Sequence, residues 1–224
     1  EFARLLRGLQ PRVFVMENVS GMVKGKMKLI FADILRELKA SGYRISVRLL
    51  NAMYFGVPQS RQRLIFMGVR EDLEIDPSHP RAETKPVTVK EAIDGFDVDG
   101  KAALAARVHK GQLWAIKLAH PGEQLSKYHP RGYWFNYFRL WDYRPSQALP
   151  KSCHDKVYHY CEDRVLSLDE LRALGGFPLP FALVGNYEDA WLRIGNSVPP
   201  LMMRSIARHI RQVILTNGAP ELMV

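Results

Sequence analysis

The chain has 224 residues, of which 47% are hydrophobic, so it is long enough for one large domain or two small ones with a substantial core. Its formal net charge of +9 favours a polyanionic partner, either a nucleic acid or a membrane surface, although a merely basic enzyme has the same charge. No run of about 18 apolar residues occurs, which excludes a membrane-spanning helix, and the only two cysteines exclude a disulfide framework and predict a reducing compartment such as the cytoplasm.

The first 50 residues show helical and strand patterns in turn. Residues 4–9 have the pattern of the end of an amphipathic helix. Residues 13–16 form a short, continuous apolar run, which predicts a strand buried on both faces that ends where Glu17 follows. Apolar residues recur at helical spacing over 29–38, and Gly42 stands where a C-cap glycine belongs, so we predict a second helix there.

Two more strands complete this part of the chain. Residues 43–50 and 64–69 have strand patterns, and Gly56-Val57-Pro58 makes a turn between them. The order strand, helix, strand, turn, strand within about 60 residues predicts an α/β layer with a mainly parallel sheet.

The character of the sequence changes between residues 76 and 150, where periodicity is weak and proline, glycine, histidine, aromatic and charged residues are frequent. We predict a second, smaller domain, irregular or β-rich, whose core contains the aromatic cluster. That cluster consists of Trp114, Tyr128, Tyr133, Trp134, Phe135, Tyr137, Phe138, Trp141 and Tyr143.

Helical order returns in the last third of the chain. Ser167 and Glu170 have the spacing of a capping box at the start of a helix. A last helix is predicted to open at Pro199-Pro200, since proline is favourable in the first turn, and to continue through Ile214.

Three segments carry side chains suited to binding a ligand. Glu17, directly after a buried strand, lies where open α/β sheets bind ligands, although a helix cap or a surface ion pair is the commoner role. Arg61 and Arg63 precede a strand at i and i+2, so they are expected to share one face and to suit a phosphate or a base carbonyl; an exposed basic strand edge is the alternative. Gly195 to Ser197 predict a flexible turn before a helix N-terminus, which suits an anionic group or an ordinary cap.

In this order and spacing, the segments resemble the C5-cytosine methyltransferase family. Residues 17–19 are similar to its Glu-Asn-Val signature, and residues 56–63 to its Gly-Val-Pro-Gln-x-Arg-x-Arg signature. Residues 164–178 resemble the Arg-x-x-Thr-x-x-Glu...Phe-Pro element, with Ser167 in place of the threonine. Residues 195–199 have the sequence Gly-Asn-Ser-Val-Pro of the family's last element.

The family's glycine-rich cofactor loop and the Pro-Cys pair that holds its nucleophile have no counterpart in this sequence. Neither Cys153 nor Cys161 follows a proline, and both come after the Glu-Asn-Val element, so neither is assigned as catalytic. Together with His154 and His159 they also lack the spacing of a zinc finger, so no metal site is predicted.

The resemblance implies an α/β fold in three parts. Residues 1–75 would supply the later strands and helices of a Rossmann-like methyltransferase sheet, residues 76–194 a small target-recognition domain, and residues 195–224 a C-terminal helix that returns to the catalytic domain. Members of the family bind double-stranded DNA, flip a cytosine out of the duplex and transfer a methyl group from S-adenosyl-L-methionine to its carbon 5.

The resemblance also implies roles for individual residues. Glu17 would bind the N3 and N4 edge of the cytosine, Arg63 would contact its O2, and Arg61 would lie nearby, toward the base or the DNA backbone. Asn196 and Ser197 would line the cofactor pocket.

The target-recognition region would read base edges in the major groove. Its candidate DNA contacts are Lys127, Arg131 and Arg139, each of which is otherwise a solvated charge. Arg164 is expected to support the small domain and not to touch the substrate.

The leading hypothesis is therefore the C-terminal portion, or a subunit, of a DNA (cytosine-5)-methyltransferase of a bacterial or archaeal restriction-modification system. Alone it is expected to be inactive, to need the N-terminal half that carries the nucleophile, and to self-associate through exposed apolar surface. Two alternatives stay open: a non-catalytic DNA-recognition module of methyltransferase descent, and a tRNA cytosine-5 methyltransferase.

Overall fold

A computed structural model describes residues 1–23, 25 and 27–216. The helices are α1 (Phe2–Leu9), α2 (Met27–Ala40), α3 (Val89–Ile93), α4 (Lys101–Ala106), α5 (Leu113–Leu118), α6 (Leu168–Gly175), α7 (Tyr187–Asn196) and α8 (Pro200–His209). The strands are β1 (Val13–Val19), β2 (Tyr43–Asn51), β3 (Gln59–Ser60), β4 (Gln62–Arg70), β5 (Phe138–Arg139), β6 (Ser146–Gln147) and β7 (Val157–Tyr158).

The contacts divide the chain into two units, each built from more than one segment. The first unit contains Glu1–Asn51, Gln62–Ala82 and Met203–Val224, and the second contains Ala52–Arg61 and Glu83–Met202. These divisions differ from the predicted boundaries at residues 75 and 194, because the loop between β2 and β4 packs with the second unit and has no compositional signal of its own. No helix in the described part of the chain is long and apolar enough to cross a membrane.

The sheet of the first unit has the strand order β1-β4-β2, and both pairings are antiparallel. Val13 pairs with Val69, and Tyr43 pairs with Arg70. The prediction of a mainly parallel sheet was therefore wrong for the described strands. β4 turns back beside β2 and lies between β1 and β2. β1 and β2 run in the same direction, but they do not pair with each other.

The core of the first unit forms around β4, in which every side chain from Leu64 to Val69 is buried, as expected of a strand covered on both faces. Phe14, Tyr43 and Leu38 pack with Leu64 and Phe66 in this core. β1 continues three residues beyond its predicted end, so Glu17 lies within the strand and not after it.

Gly68 leaves the space in this core that the Phe14 ring occupies. It pairs across the sheet with Phe14, and a Cβ atom on Gly68 would overlap the Phe14 ring. We expect Gly68→Ala to lower the free energy of unfolding by about 1–3 kcal/mol, because the aromatic ring must leave its rotamer or the strands must separate. Urea unfolding measures this change.

The matched control is Gly8→Ala in α1, where an added Cβ meets nothing within 4 Å. This substitution should be neutral or stabilise the chain by up to about 1 kcal/mol, since alanine is favoured over glycine within a helix. Equal effects of the two substitutions would contradict the close packing of Phe14 on Gly68.

The second unit is irregular, as predicted, but it is not β-rich: its strands have two residues each and its longest helices are α6 and α7. The aromatic cluster is divided between core and surface, which corrects the prediction that it forms the core. Phe138 is buried, and Tyr128, Trp134 and Tyr137 pack against the core. Its exposed members are Trp114, Tyr133, Phe135 and Tyr143.

The last helices begin as their sequences predict. Ser167 and Glu170 form the expected capping box of α6, with each side chain bound to the other residue's main-chain N–H. α8 begins at Pro200 and is followed by a π-helical segment, Ile210–Leu215. Gly195 and Asn196 were predicted to form a flexible turn, but they are the last residues of α7.

Candidate active site

Glu17 and Arg63 lie on one face of the sheet in the first unit. Arg63 is paired with Val19 across the β1–β4 ladder, so Glu17, two residues before Val19, is its diagonal neighbour on the same face. The guanidinium Nε forms an ion pair with the Glu17 carboxylate, and Nη1 donates a hydrogen bond of 2.9 Å to the Gln62 main-chain oxygen. The Glu17 side chain keeps 30% of its surface exposed and the Arg63 side chain 14%, so both remain accessible to a ligand.

Arg61 has a different environment. It precedes β4, its side chain is buried within the second unit, and its guanidinium donates to the main-chain oxygens of Leu149 at 3.3 Å and Gly195 at 2.6 Å. The prediction that Arg61 and Arg63 share one face was wrong, because alternation holds only within a strand and Arg61 lies outside β4. Its contacts make it a positioning residue.

Gln59 also holds this segment in place, although no feature of the sequence distinguished it as a functional residue. Its buried side-chain amide donates to the Leu174 main-chain oxygen at 3.1 Å, and its side-chain oxygen accepts from the Leu149 N–H at 3.3 Å. Gln59 and Arg61 together fix the segment before β4 onto the main chain of the second unit. The Gln-x-Arg part of the motif is therefore accounted for by buried hydrogen bonds to main-chain atoms.

The C-terminal end of α7 contains the two predicted cofactor residues, Asn196 as its last residue and Ser197 as its C-cap, both within the second unit. The Asn196 side chain is exposed at the C-terminal end of α7. Ser197 is partly buried, and its hydroxyl donates to the Ile194 main-chain oxygen at 2.8 Å. Asn196 is thus available to a ligand, whereas Ser197 stabilises the turn between α7 and α8.

A buried polar cluster supports the core of the second unit. The Arg164 guanidinium makes two parallel hydrogen bonds to the Glu170 carboxylate, at 2.7 and 2.8 Å. The His159 ring lies 3.5 Å from the same carboxylate. These contacts confirm the prediction that Arg164 supports the small domain.

Arg139 was predicted to contact DNA, and the structure shows that this prediction was wrong. Its side chain is buried, and it donates to the main-chain oxygens of Ile116, His159 and Glu162 and pairs with Asp163. A guanidinium with its donors directed at buried carbonyls cannot reach a base edge. Arg139 instead joins β5 to α5 and to residues 159–163 within the second unit.

The buried position of His159 has a consequence for stability at low pH. Burial, with the nearby Arg164 and Arg139, lowers the pKa of His159 from its ordinary 6.5 to about 4, although Glu170 and Glu162 oppose this change. The unfolded chain therefore binds a proton that the folded chain rejects, so stability is lost as the pH falls from 6.5 toward 4. The full shift corresponds to about 3 kcal/mol.

We expect His159→Gln, which keeps a hydrogen-bond acceptor, to reduce this loss when urea unfolding is measured between about pH 7 and about pH 4, the range in which an ordinary histidine becomes charged. The control is His120→Gln, because His120 is exposed in the same unit and should leave the slope unchanged. An unchanged slope in the His159 variant would contradict the assignment.

Lys127 and Arg131, the other candidate DNA contacts, are on the surface of the second unit. Lys127 pairs with Glu123, whose pKa falls to about 2 through hydrogen bonds from Lys127 and Tyr128. Tyr133 and Phe135 are exposed beside Arg131 in the sequence, and sequence reasoning missed them by assigning the aromatic residues to the core.

The two cysteines have no disulfide bond. Cys153 is buried, and burial raises the pKa of its thiol, which disfavours the nucleophilic thiolate. Among the described residues, no group of three or more histidine, cysteine, aspartate or glutamate side chains is placed to hold a metal ion.

Comparison with protein families gives one match that covers nearly the whole chain. The model of the C-5 cytosine-specific DNA methylase family matches residues 1–212. The chain belongs to this family. The matched range contains all four motifs that suggested the resemblance.

Individual relatives support the same conclusion. The type II methyltransferase M1.HphI of Haemophilus parahaemolyticus is 30% identical over 226 residues, which is 94% of this chain and 59% of the relative. The type II methyltransferase M.BspRI of Lysinibacillus sphaericus is 30% identical over 243 residues, or 94% of this chain and 53% of the relative. The chain thus spans slightly more than half the length of these two methylases.

Solved structures show the same fold. A DNA modification methyltransferase encoded within an E. coli prophage superposes with a TM-score of 0.75 at 23% identity, covering 94% of this chain and 72% of that one. The S. pombe Dnmt2 methyltransferase gives a TM-score of 0.59 at 14% identity, covering 89% of this chain and 66% of that one. The α/β methyltransferase fold predicted for this methylase chain is confirmed.

Proposed function

We propose that this chain is the C-terminal part of a DNA (cytosine-5)-methyltransferase, which transfers a methyl group from S-adenosyl-L-methionine to carbon 5 of a flipped cytosine. The observation that carries the proposal is the accessible Glu17–Arg63 pair within a family member. A carboxylate and a guanidinium on one sheet face present an acceptor and a fork of donors side by side.

This pair matches the Watson–Crick edge of cytosine. The N4 amino group donates to a carboxylate such as Glu17, and O2 accepts from a guanidinium such as Arg63. When a nucleophile adds to carbon 6, negative charge develops on N3 and O2. The Arg63 guanidinium at O2, together with a proton shared between the Glu17 carboxyl group and N3, would stabilise that charge more than they stabilise the neutral base, which would accelerate the reaction.

The residues at the C-terminal end of α7 fit the edge of a cofactor site. Asn196 offers an exposed amide that can donate and accept hydrogen bonds, and the helix α8 begins four residues later. Ser197 would act through the turn that it stabilises, since its hydroxyl is bound to Ile194. S-adenosyl-L-methionine supplies an electrophilic methyl group when it is bound.

The nucleophile would come from the N-terminal half of the methylase, because neither Cys153 nor Cys161 follows a proline and Cys153 is also buried. We propose that this half packs on α1 and α2, which is supported by their exposed apolar side chains: Phe2, Leu5, Leu9, Met27, Leu29 and Ile30. A groove of about 410 Å³, lined in part by Phe2, Met16 and Ile34, lies in the same unit. Until this surface is covered, we expect the chain to self-associate.

Target recognition would belong to the second unit, within the predicted region 76–194. Lys127 and Arg131 offer positive charge, and the exposed Tyr133 and Phe135 offer flat apolar surfaces. Charge of this kind holds the DNA backbone, and base-edge contacts then supply specificity. The methylase would act on chromosomal or plasmid DNA in the cytoplasm.

The test is transfer of a labelled methyl group to duplex DNA by the chain alone and by the chain with the N-terminal half supplied in trans. Activity only in the mixture supports the proposal. Specific DNA binding without transfer would favour the recognition module instead. Transfer that is suppressed by tRNA more than by a second DNA duplex would favour the tRNA enzyme.

A further inference from the structure

The first unit contains a basic pocket that neither Glu17 nor Arg63 lines. It has a volume of about 730 Å³ and is lined by residues of β2, of the segment after β4, and of the C-terminal helix. Its polar lining consists of Ser46, Arg48, Ser78, His79, Arg81 and His209. None of the described residues that line it is acidic, so the pocket concentrates positive charge.

His79 is the group that points to a ligand. Its residue surface is only 8% exposed, and neither ring nitrogen makes a well-formed hydrogen bond with a described residue, although the main chain of Ser46 lies close enough to favour the charged ring. A buried imidazole without firm partners is costly, and a bound ligand or water normally satisfies such a group.

The other groups around His79 favour an anion. Arg48 and Arg81 are exposed at the rim, and neither has a carboxylate within 4 Å among the described residues. The Ser78 hydroxyl lies 2.8 Å from Nε2 of His209, which fixes both side chains on the pocket wall. Two guanidinium groups, two imidazoles and a hydroxyl form a donor set that suits the oxygens of a phosphate.

We propose that this pocket binds a phosphate group, either as a free phosphate or as a phosphodiester of a nucleic-acid backbone. The proposal does not depend on methyl transfer. Burial lowers the pKa of His79, and Arg48 and His209 lower it further; burial also lowers that of His209. A bound phosphate would oppose these effects and raise both pKa values, so phosphate binding and proton binding strengthen each other.

The test follows the imidazole NMR signals of His79 and His209 in the whole chain during titration with inorganic phosphate. We expect saturable shifts at millimolar phosphate and a higher pKa of both rings in the bound state. Arg48→Ala and Arg81→Ala should each weaken phosphate binding about tenfold, since each removes a charged donor pair. Arg36→Ala removes an exposed arginine of α2 outside the pocket and is the control.

A short DNA duplex distinguishes the two sources of phosphate. If the duplex shifts the same imidazole signals and phosphate competes with it, the ligand is a backbone phosphodiester; if only inorganic phosphate shifts them, the ligand is a free phosphate. Both results support the proposal that the pocket binds a phosphate group. The proposal is overturned if phosphate causes no saturable shift, or if the Arg48, Arg81 and Arg36 variants bind phosphate equally well. Thermal unfolding without phosphate verifies that each variant is folded.

Discussion

Glu17→Gln is expected to lower methyl transfer by about 100- to 1,000-fold when the chain is supplied with the N-terminal half, because the variant keeps the shape of the side chain but loses its negative charge. The glutamine amide places an N–H donor where the cytosine N4 group also donates, so one of two orientations is repulsive. The glutamine amide also cannot share a titratable proton with N3, where negative charge develops during addition to carbon 6. The measurement is the single-turnover rate with saturating duplex DNA.

The matched control is Glu71→Gln, which removes an exposed carboxylate just after β4 in the same unit. It should leave the single-turnover rate unchanged. DNA affinity, measured by fluorescence anisotropy, should change little in either variant, because phosphate contacts dominate affinity. If Glu17→Gln retains the full rate, the catalytic role of Glu17 is wrong.

Arg63 provides an independent test of the same site. Arg63→Lys keeps the positive charge but loses the planar fork that can hold Glu17 and donate to O2 together. We expect a fall in rate smaller than that of Glu17→Gln, with the thermal midpoint little changed. A loss of rate with a large loss of stability would instead show that Arg63 acts mainly through the sheet.

The sequence located the strands of the first unit well and the direction of their pairing poorly. The apolar run of 64–69 is a local signal of a buried strand, and β4 is buried as this signal predicts. Pairing direction depends on which strand comes between the others, and β4 enters between β1 and β2. The residues of a strand do not indicate whether its pairing is parallel or antiparallel, since both arrangements bury the same side chains.

Arginine positions show a similar limit. Arg61 was predicted to contact a ligand because it stands two residues before Arg63 at the start of a strand, and Arg139 because it lies among aromatic residues in the sequence. Their actual partners are main-chain carbonyls of residues far away in sequence, such as Gly195 for Arg61 and Ile116 for Arg139. A carbonyl is present at every residue, so nothing in the sequence identifies one as the acceptor of a buried guanidinium.

The resemblance of the motifs identified the family, although the chemistry of each single residue was weak evidence for a function. Considered alone, Glu17 was more consistent with a helix cap or a surface ion pair. The four motifs in their order nevertheless identified the family, and the family model confirms it. The spacing of Ser167 and Glu170 also predicted a capping box correctly, because that interaction is complete within four residues. Prediction therefore worked for local interactions and for family motifs, and failed for partners brought together by folding.

Arg164→Met is expected to cause the largest loss of stability, about 3–5 kcal/mol, because it leaves the buried Glu170 carboxylate without its guanidinium. Burial, the largest single effect, would raise the pKa of Glu170, but the hydrogen bonds from Arg164 and from the Ser167 main chain, together with the electrostatic attraction of Arg164 and His159, outweigh it and lower the pKa. Without Arg164, the carboxylate must bind a proton or remain charged in the core, and both cost free energy. Urea unfolding at neutral pH measures the change.

Two further variants separate a stranded charge from simple loss of volume. Adding Glu170→Gln to Arg164→Met should recover most of the loss, because glutamine is uncharged and still suits the capping box with Ser167. Lys101→Met removes an exposed ion pair with Glu162 in the same unit and should cost less than about 1 kcal/mol. If Arg164→Met costs no more than Lys101→Met, or if the double variant recovers nothing, the buried pair is not what stabilises this part of the methylase.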